Sequence, residues 1–449
     1  MARDEMIGTA GKQEEVGTGS AFDAVHPPSR EIIDQCVHCG FCLPVCPTYA
    51  LWNEEMDSPR GRIYLMKLAA DGKTAINSQW VGHFDTCLGC MACITACPSG
   101  VDYSKLIEAT RAQIERKYDR GWFERLYRRL IFALFTRADR LRAMRLPLLF
   151  YQKGLRRLVR GSGVLRFLPK HLQAMEALLP DLPPLEAVAE VTPAVGVKRR
   201  RVGMLLGCVQ REFFPQVNAA TARVLAAEGC EVVSPAEQPC CGALLIHAGE
   251  EERALVLARH LINVFERAGV DAIVTNAAGC GSNLKDYAHL LRDDPQYAQR
   301  AKEFSAKCQD VSEILDNMMP YAERNPLRLK VAFHDSCHLQ HAQGVRAQPR
   351  SLLAGIPELE LLEIPEAPIC CGSAGIYNLV QPNAANALGD RKAGLIAPLE
   401  PDVVVTGNPG CILQLQASLE RAGKKIPVLH TIQLLDASIR GDPPSTIQK

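Results

Sequence analysis

Apolar and polar positions follow two textures along the chain. From about Lys198 onward, short apolar runs alternate with helical stretches, the signature of α/β units. Val202-Gly203-Met204-Leu205-Leu206 reads as a strand ending at Gly207-Cys208. Val232-Val233 begins a shorter strand before Cys240-Cys241-Gly242, and Ala272-Ile273-Val274-Thr275 is a third, running into Ala278-Gly279-Cys280-Gly281. The pattern then recurs. Val331-Ala332-Phe333-His334 leads to Cys337, Leu361-Leu362-Glu363-Ile364 precedes Cys370-Cys371-Gly372, and Val403-Val404-Val405-Thr406 leads to Gly410-Cys411. Upstream the texture is helical. Ile63-Tyr64-Leu65-Met66-Lys67-Leu68-Ala69-Ala70 has the composition of a helix. Trp122, Phe123, Leu126, Leu130, Ile131, Leu134 and Phe135 interleave with Arg125, Arg128 and Arg129 at near-helical spacing.

The landmarks Cys208, Cys241 and Cys280 recur at Cys337, Cys371 and Cys411, at offsets of 129, 130 and 131 residues. So slow a drift across a whole domain is internal duplication. In each half four cysteines fall just beyond predicted strand ends, where ligands gather in parallel α/β sheets. They are Cys208, Cys240, Cys241 and Cys280, then Cys337, Cys370, Cys371 and Cys411. A thiolate-bound metal or redox site in each half is the candidate chemistry. Small buried residues, or a vicinal disulfide in each Cys-Cys pair, are the alternatives. Cys230 and Cys308 have no repeat partner and read as packing. His334, His338 and His341 crowd around Cys337 and read as a hydrogen-bonded loop, with ligation or proton transfer as alternatives.

Composition adds little beyond excluding classes. The 449 residues carry 51 Lys+Arg against 50 Asp+Glu, a net charge of +1, with 47% hydrophobic and 22% charged residues. That balance fits a globular chain of two to four domains and argues against a dedicated nucleic-acid binder. No apolar run approaches the roughly 20 residues that span a bilayer, and the N-terminus lacks a secretory h-region. A reducing, cytoplasmic setting is expected, so the 18 cysteines read as metal ligands or redox groups rather than disulfides.

Eight of them form two runs, Cys36-x2-Cys39-x2-Cys42-x3-Cys46-Pro47 and Cys87-x2-Cys90-x2-Cys93-x3-Cys97-Pro98, each position repeating after 51 residues. This is the ligand run of a two-cluster ferredoxin, in which the fourth cysteine of each run reaches across to the other cluster. The expected ligands are Cys36, Cys39, Cys42 and Cys97 for one [4Fe–4S], and Cys87, Cys90, Cys93 and Cys46 for the other. Paired zinc ribbons have no use for the third close cysteine or the proline. Forty residues separate Cys46 from Cys87, and a helix among them predicts a helical ferredoxin-like module.

These residues, with Ser58-Pro59-Arg60-Gly61-Arg62, Asn218-Ala219-Ala220-Thr221, Leu339-Gln340-His341 and Cys370-Cys371-Gly372-Ser373-Ala374-Gly375, make the chain resemble the glycolate oxidase iron–sulfur subunits over nearly its whole length. The duplicated half resembles the CCG domain of heterodisulfide reductase and anaerobic glycerol-3-phosphate dehydrogenase subunits. That pattern ends in C-x-x-C, but Asn283 and Gln414 stand at its last position here, which removes the fifth ligand from both halves. The expected fold is multidomain, an α-helical ferredoxin-like domain followed by a duplicated α/β CCG domain. Its expected boundaries are a mobile tail at 1–30, the 2×[4Fe–4S] domain at 31–115, a basic helical connector and Pro-rich linker at 116–197, and CCG domains at 198–325 and 326–449.

No strand is followed by G-x-G-x-x-G, and Gly17-Thr18-Gly19 reads as linker. The hydride chemistry of hydroxy-acid oxidation therefore belongs to a partner, and the resemblance implies FAD on glycolate-oxidising subunits. The chain itself is expected to carry electrons through two [4Fe–4S] clusters, with no catalytic residue of its own and a candidate further cluster in the CCG halves. The alternative is a heterodisulfide-reductase-like or glycerol-3-phosphate-dehydrogenase-like subunit with a catalytic or structural CCG site. Residues 121–170 hold 13 Lys+Arg and two acids, Glu124 and Asp139. Such a segment suits either an anionic membrane face near quinone, on the cytoplasmic side of an inner membrane, or a connector packed on the α/β domains.

Overall fold

The computed structural model describes residues 19–447. Gly17-Thr18 and the first part of the expected tail lie outside them. The chain divides into two compact units, Met1–Arg128 with Leu245–Glu251, and Arg129–Leu244 with Glu252–Lys449.

The first unit is built from helices, the longest being Pro59–Ala70, Ser78–Asp85 and Tyr103–Lys117. Each begins on a side-chain cap. Ser58 accepts from Gly61 N, with Pro59 at the first position, Asn77 accepts from Trp80 N, and Asp102 accepts from Ser104 N. Ile63, Met66, Trp80, Phe84, Leu106, Ile107 and Ile114 form the core. Gly61 is obligatory, because a Cβ there would lie 1.9 Å from the Glu55 carbonyl oxygen. The expectation of a mobile tail through residue 30 is corrected. Phe22 is buried edge-on to Trp80, and Asp23 accepts hydrogen bonds from Gln113 and Arg116. The short segment Leu245–Glu251 also belongs to this unit rather than to the first α/β domain. Arg111 donates to the His247 carbonyl at 2.8 Å, and Arg128 to that of Ala248 at 3.0 Å.

The second unit holds two sheets. Strands β1 (Val191–Thr192), β2 (Arg200–Met204), β3 (Cys230–Val233), β4 (Ala272–Thr275) and β5 (Cys308–Asp310) order as β1-β3-β2-β4-β5. Strands β6 (Leu329–Phe333), β7 (Leu359–Glu363), β8 (Val403–Thr406) and β9 (Val428–His430) order as β7-β6-β8-β9. All pairings are parallel except β1 on β3. Without β1 the two orders are the same, and the registers repeat, with Val202 beside Val232 and Ala272 in one sheet and Val331 beside Leu361 and Val403 in the other. β4 and β8 are buried along their whole length, as expected of strands covered by helices on both faces. All six strands expected from the apolar runs are present. β1, β5 and β9 had no such signal, and β1 shows that part of the Pro-rich linker (181–197) joins the first sheet.

One core runs through both halves, from Val202 and Val274 to Val331 and Val405. The loops after β4 and β8 meet directly, with Ala278 N donating to the Gly407 carbonyl at 3.1 Å. Arg223 clamps Asp436 at 2.7 Å. Helices Ala138–Phe150, Arg156–Ser162 and Lys170–Ala177 form the basic connector, and Leu141 joins the α/β core. Arg145 is buried and donates to the Pro183 carbonyl, while Leu146, Phe150, Leu158 and Phe167 stay exposed. The connector thus packs on the α/β core through Leu141 while these four apolar side chains stay exposed.

Candidate metal centres

The two N-terminal cysteine runs share a backbone as well as a spacing. His38 and Gly89, the third residues, have φ of +54° and +64°, and Gly40 and Met91, the fifth, have +88° and +62°. Left-handed turns at both positions curl each run inward. His38 and Met91 adopt them although such conformations cost L-residues roughly 1–2 kcal/mol, as is common where local strain serves a site.

Cys36, Cys39, Cys42 and Cys97 line one open cavity with Val37, Phe41 and Arg60, and Cys93 lines it too. Cys39 is exposed and the other three are half-buried. Burial pushes the Cys36 thiol up, and its neighbours Cys97 and Cys39 add to the shift. Burial likewise lifts Cys42 to about 11.

The second group lies deeper. Cys46, Cys87 and Cys90 are buried. Cys93 is pushed well up by burial, then by the thiols of Cys90, Cys87, Cys46 and Cys42 around it. Cys46 Sγ lies 3.2 Å from Thr48 Oγ1, and Cys87 Sγ lies 3.7 Å from the Tyr103 hydroxyl and accepts from Gly89 N at 3.4 Å. Burial alone would raise Cys87, but the Arg62 and Arg111 guanidiniums outweigh it and hold the thiol below its usual range.

Arg62 is a residue that pattern reading missed as chemistry. It is buried, donates to Thr48 Oγ1 and the His83 carbonyl, and lies 3.7 Å from the equally buried Asp57. Asp57 in turn meets His83 Nδ1 at 2.8 Å. The available signal was an arginine on the apolar face of its helix, one residue before Ile63 and four before Met66.

In the α/β unit every repeated cysteine sits beyond a strand end, and none of the 18 cysteines is in a disulfide, so the vicinal pairs are thiols. Cys208 Sγ lies 3.4 Å from Cys240 Sγ, and Cys241 bonds Cys280. In the second half Cys370 Sγ lies 3.9 Å from Cys337 Sγ, and Cys371 bonds Cys411. A hydrogen bond from Cys371 holds the Cys411 thiol below its usual range against burial, with His334 assisting, while Cys371 itself is pushed up. Cys280 and Cys411 stand in the first turns of helices Ala278–Lys285 and Pro409–Arg421, whose positive ends favour thiolates. Cys230 and Cys308 lie apart, against Met318 Sδ and the Phe304 carbonyl. The residues at the lost C-x-x-C positions are engaged elsewhere. Asn283 donates to the Cys241 carbonyl at 2.7 Å, and Gln414 donates to that of Ala385 at 2.9 Å. The histidine cluster does not behave as one loop. His334 joins Cys371 and Cys411, His338 Nδ1 lies 3.4 Å from Cys337 Sγ, and Arg346 reaches toward His341.

Eight thiols in two sets, each with backbone N–H groups and cations nearby, suit anionic thiolate-held clusters. Residues 32–101 match the 4Fe-4S dicluster domain, 202–285 and 331–416 match the Cysteine-rich domain, and 123–179 match the linker region of the glycolate oxidase iron-sulfur subunit. A Bacillus subtilis (strain 168) protein named "Probable glycolate oxidase iron-sulfur subunit" is 41% identical over 412 residues, 89% of this chain and 92% of its own. The chain belongs to the glycolate oxidase iron–sulfur subunits.

The Escherichia coli (strain K12) glycolate oxidase iron-sulfur subunit is 37% identical, over 91% of this chain and 94% of its own. Lactate utilization protein A of Geobacillus kaustophilus (strain HTA426) is 29% identical over 53% of this chain and 99% of its own. As a glycolate oxidase iron–sulfur subunit the chain is an iron–sulfur electron carrier of an oxidoreductase complex, not the catalytic subunit, and it works with other subunits. No helix of the described residues is long and apolar enough to cross a membrane.

Proposed function

We propose that this chain carries electrons from a flavin-bearing subunit that oxidises glycolate or a similar 2-hydroxy acid to a quinone at a membrane surface. The observation that carries this reading is the pairing of the two runs. Cys97 shares a cavity with Cys36, Cys39 and Cys42, which Cys93 also lines, and Cys46 stands before Cys42 among the thiols that act on Cys93. Cys36, Cys39, Cys42 and Cys97 would hold one [4Fe–4S] cluster, and Cys87, Cys90, Cys93 and Cys46 the other. When bound, each cubane supplies one-electron redox chemistry. Arg62 and Arg111 supply positive charge at the deeper set, and the exposed Cys39, Val37 and Phe41 leave the shallower set open to a partner. FAD belongs to that partner, because two-electron hydride chemistry needs a group this chain offers no fold for. The eight CCG cysteines are candidates for further iron.

Peripheral attachment on the cytoplasmic face of the membrane rests on the open face of the connector. Leu146, Phe150, Leu158 and Phe167 are exposed among the basic residues of 121–170. The heterodisulfide-reductase-like reading is weaker, since Asn283 and Gln414 are tied to backbone carbonyls where that pattern needs thiols.

Purifying the intact complex and measuring its iron, flavin and subunits tests the assignment. Flavin should be found on another subunit, and this chain alone should not oxidise glycolate with an artificial acceptor. Turnover by the isolated chain would overturn the reading. Co-sedimentation of the complex with anionic vesicles, weakened by changing Phe150 and Phe167 to Ser, tests the membrane face. Undiminished binding of that variant rules the face out.

A further inference from the structure

The two α/β halves present different donors at matched places. His334 follows β6 directly. Its ring nitrogen and the sulfurs of Cys371 and Cys411 all lie within 4.8 Å of one another, and all three residues are buried. The Cys370 thiol is hydrogen-bonded to that of Cys371 and lies 3.9 Å from Cys337 Sγ. The four thiols therefore form one connected series, with His334 at its Cys371–Cys411 end and His338 Nδ1 3.4 Å from Cys337 Sγ at the other. At the matching place after β2 the first half has Leu205, so its four thiols have no imidazole from that position.

Leu205 shows what that place takes when only packing matters, for it is buried at 2% exposure. An imidazole there needs polar partners, and the thiols supply them. Five donors are also one more than a tetrahedral zinc ion uses. The Cys337–Cys370 separation is close to the roughly 3.8 Å edge of a tetrahedron with 2.3 Å metal–sulfur bonds. A donor set of this size suits a group with more than one metal. Gln414 cannot be the additional ligand, because its amide is bound to Asn378 and the Ala385 carbonyl.

We propose that the second CCG half holds an iron–sulfur cluster ligated by Cys337, Cys370, Cys371 and Cys411 together with His334, whereas the first half has thiolate ligands only. The proposal rests on the reading that the CCG cysteines bind iron. A neutral imidazole in place of an anionic thiolate raises the reduction potential of the iron that it holds. Exchanging the imidazole for a thiolate at position 334 should therefore lower the potential of the second-half site.

The test uses the intact complex, isolated without oxygen from cells fed ¹⁵N-histidine, with iron counted and the reduced clusters examined by pulsed EPR. The expected result is more than the eight irons of the N-terminal sets, about twelve to sixteen per chain, with a histidine-nitrogen coupling on one cluster. His334→Cys should keep the iron, abolish that coupling and lower the midpoint potential of the same signal. Eight irons in the wild type would defeat the underlying reading and the proposal with it. Iron above eight with no histidine coupling would overturn the His334 ligation and leave CCG iron binding standing. If His334→Cys does not fold, the labelled wild-type spectrum decides alone. His334→Leu, which copies the first half, provides the second variant. A coupling that survives in either folded variant overturns the assignment.

Discussion

Asp310 and His430 stand at the same point in the two halves of the α/β unit. Each ends a strand, β5 or β9, and each caps the next helix with a reciprocal capping box, Asp310 with Glu313 and His430 with Gln433. The backbone task is the same and the chemistry is opposite. Burial pushes the Asp310 carboxyl up to about 6, against the hydrogen bonds from Ser312. Burial pushes the His430 imidazole down to about 4, and its neutral Nδ1 accepts from Ile432 N. Leu205 and His334 differ in the same spirit. Duplication has kept strand order, register and the placement of thiols, while the side chains at strand ends have been free to change. Matched positions in the two halves therefore serve as internal controls for one another.

The largest expected contrast is at the glycines after the Cys-Cys pairs. Both have positive φ, +85° at Gly242 and +91° at Gly372. A Cβ on Gly372 would lie 2.5 Å from the Ala385 carbonyl oxygen, but on Gly242 its nearest neighbour would be 3.4 Å away. Gly372→Ala should destabilise the α/β unit by about 3 kcal/mol or more, and Gly242→Ala by about 1–2 kcal/mol, from the backbone term alone. Chemical denaturation measures both, and equal losses would break the comparison.

The caps come next, with opposite pH signs. Between the ordinary carboxylate value and about 6, folded Asp310 keeps a proton that the unfolded chain has released, so its contribution falls as pH rises through that window. Between about 4 and 6.5, unfolded His430 is protonated while the folded residue resists, so its contribution is lost as pH falls. Each effect is at most about 3 kcal/mol. Asp310→Asn should remove the first slope and His430→Asn the second, read from the melting temperature of the α/β unit against pH. Slopes of the same sign would contradict the assignment.

The smallest contrast concerns the lost C-x-x-C positions. Asn283→Ala and Gln414→Ala should each cost about 1 kcal/mol through a lost hydrogen bond, with Tyr287 still donating to the Cys241 carbonyl, and leave iron content unchanged. Loss of iron in either variant would show that these amides do more than pin the loops. The costs can be compared directly, since Asn283 donates to the Cys241 carbonyl and Gln414 to that of Ala385.

The legibility of this chain follows the range of the interactions involved. The ferredoxin-type runs were readable because their cysteines lie a few residues apart and one tight loop presents three of them. Interior strands such as β4 and β8 were readable because burial on both faces leaves continuous apolar runs such as Val403-Val404-Val405. β1, β5 and β9 were not, being two or three residues long and held by pairing with neighbours rather than by their own pattern. The tail was misread because Phe22 is a lone aromatic in polar surroundings, and its partner Trp80 is 58 residues away.

By itself the sequence determined the two kinds of repeat, the eight closely spaced thiols and the alternation that builds parallel sheets. All of these are local spacings or periodicities, and a linear chain carries them openly. Only the tertiary structure decided that Arg62 shares a buried site with Asp57 beside the deeper thiols, that Leu245–Glu251 joins the helical unit, and that His334 faces Cys371 and Cys411. Those three are meetings of residues from separate elements. Sequence spacing does not encode them, because they exist only once the sheets and helices have closed around a common core.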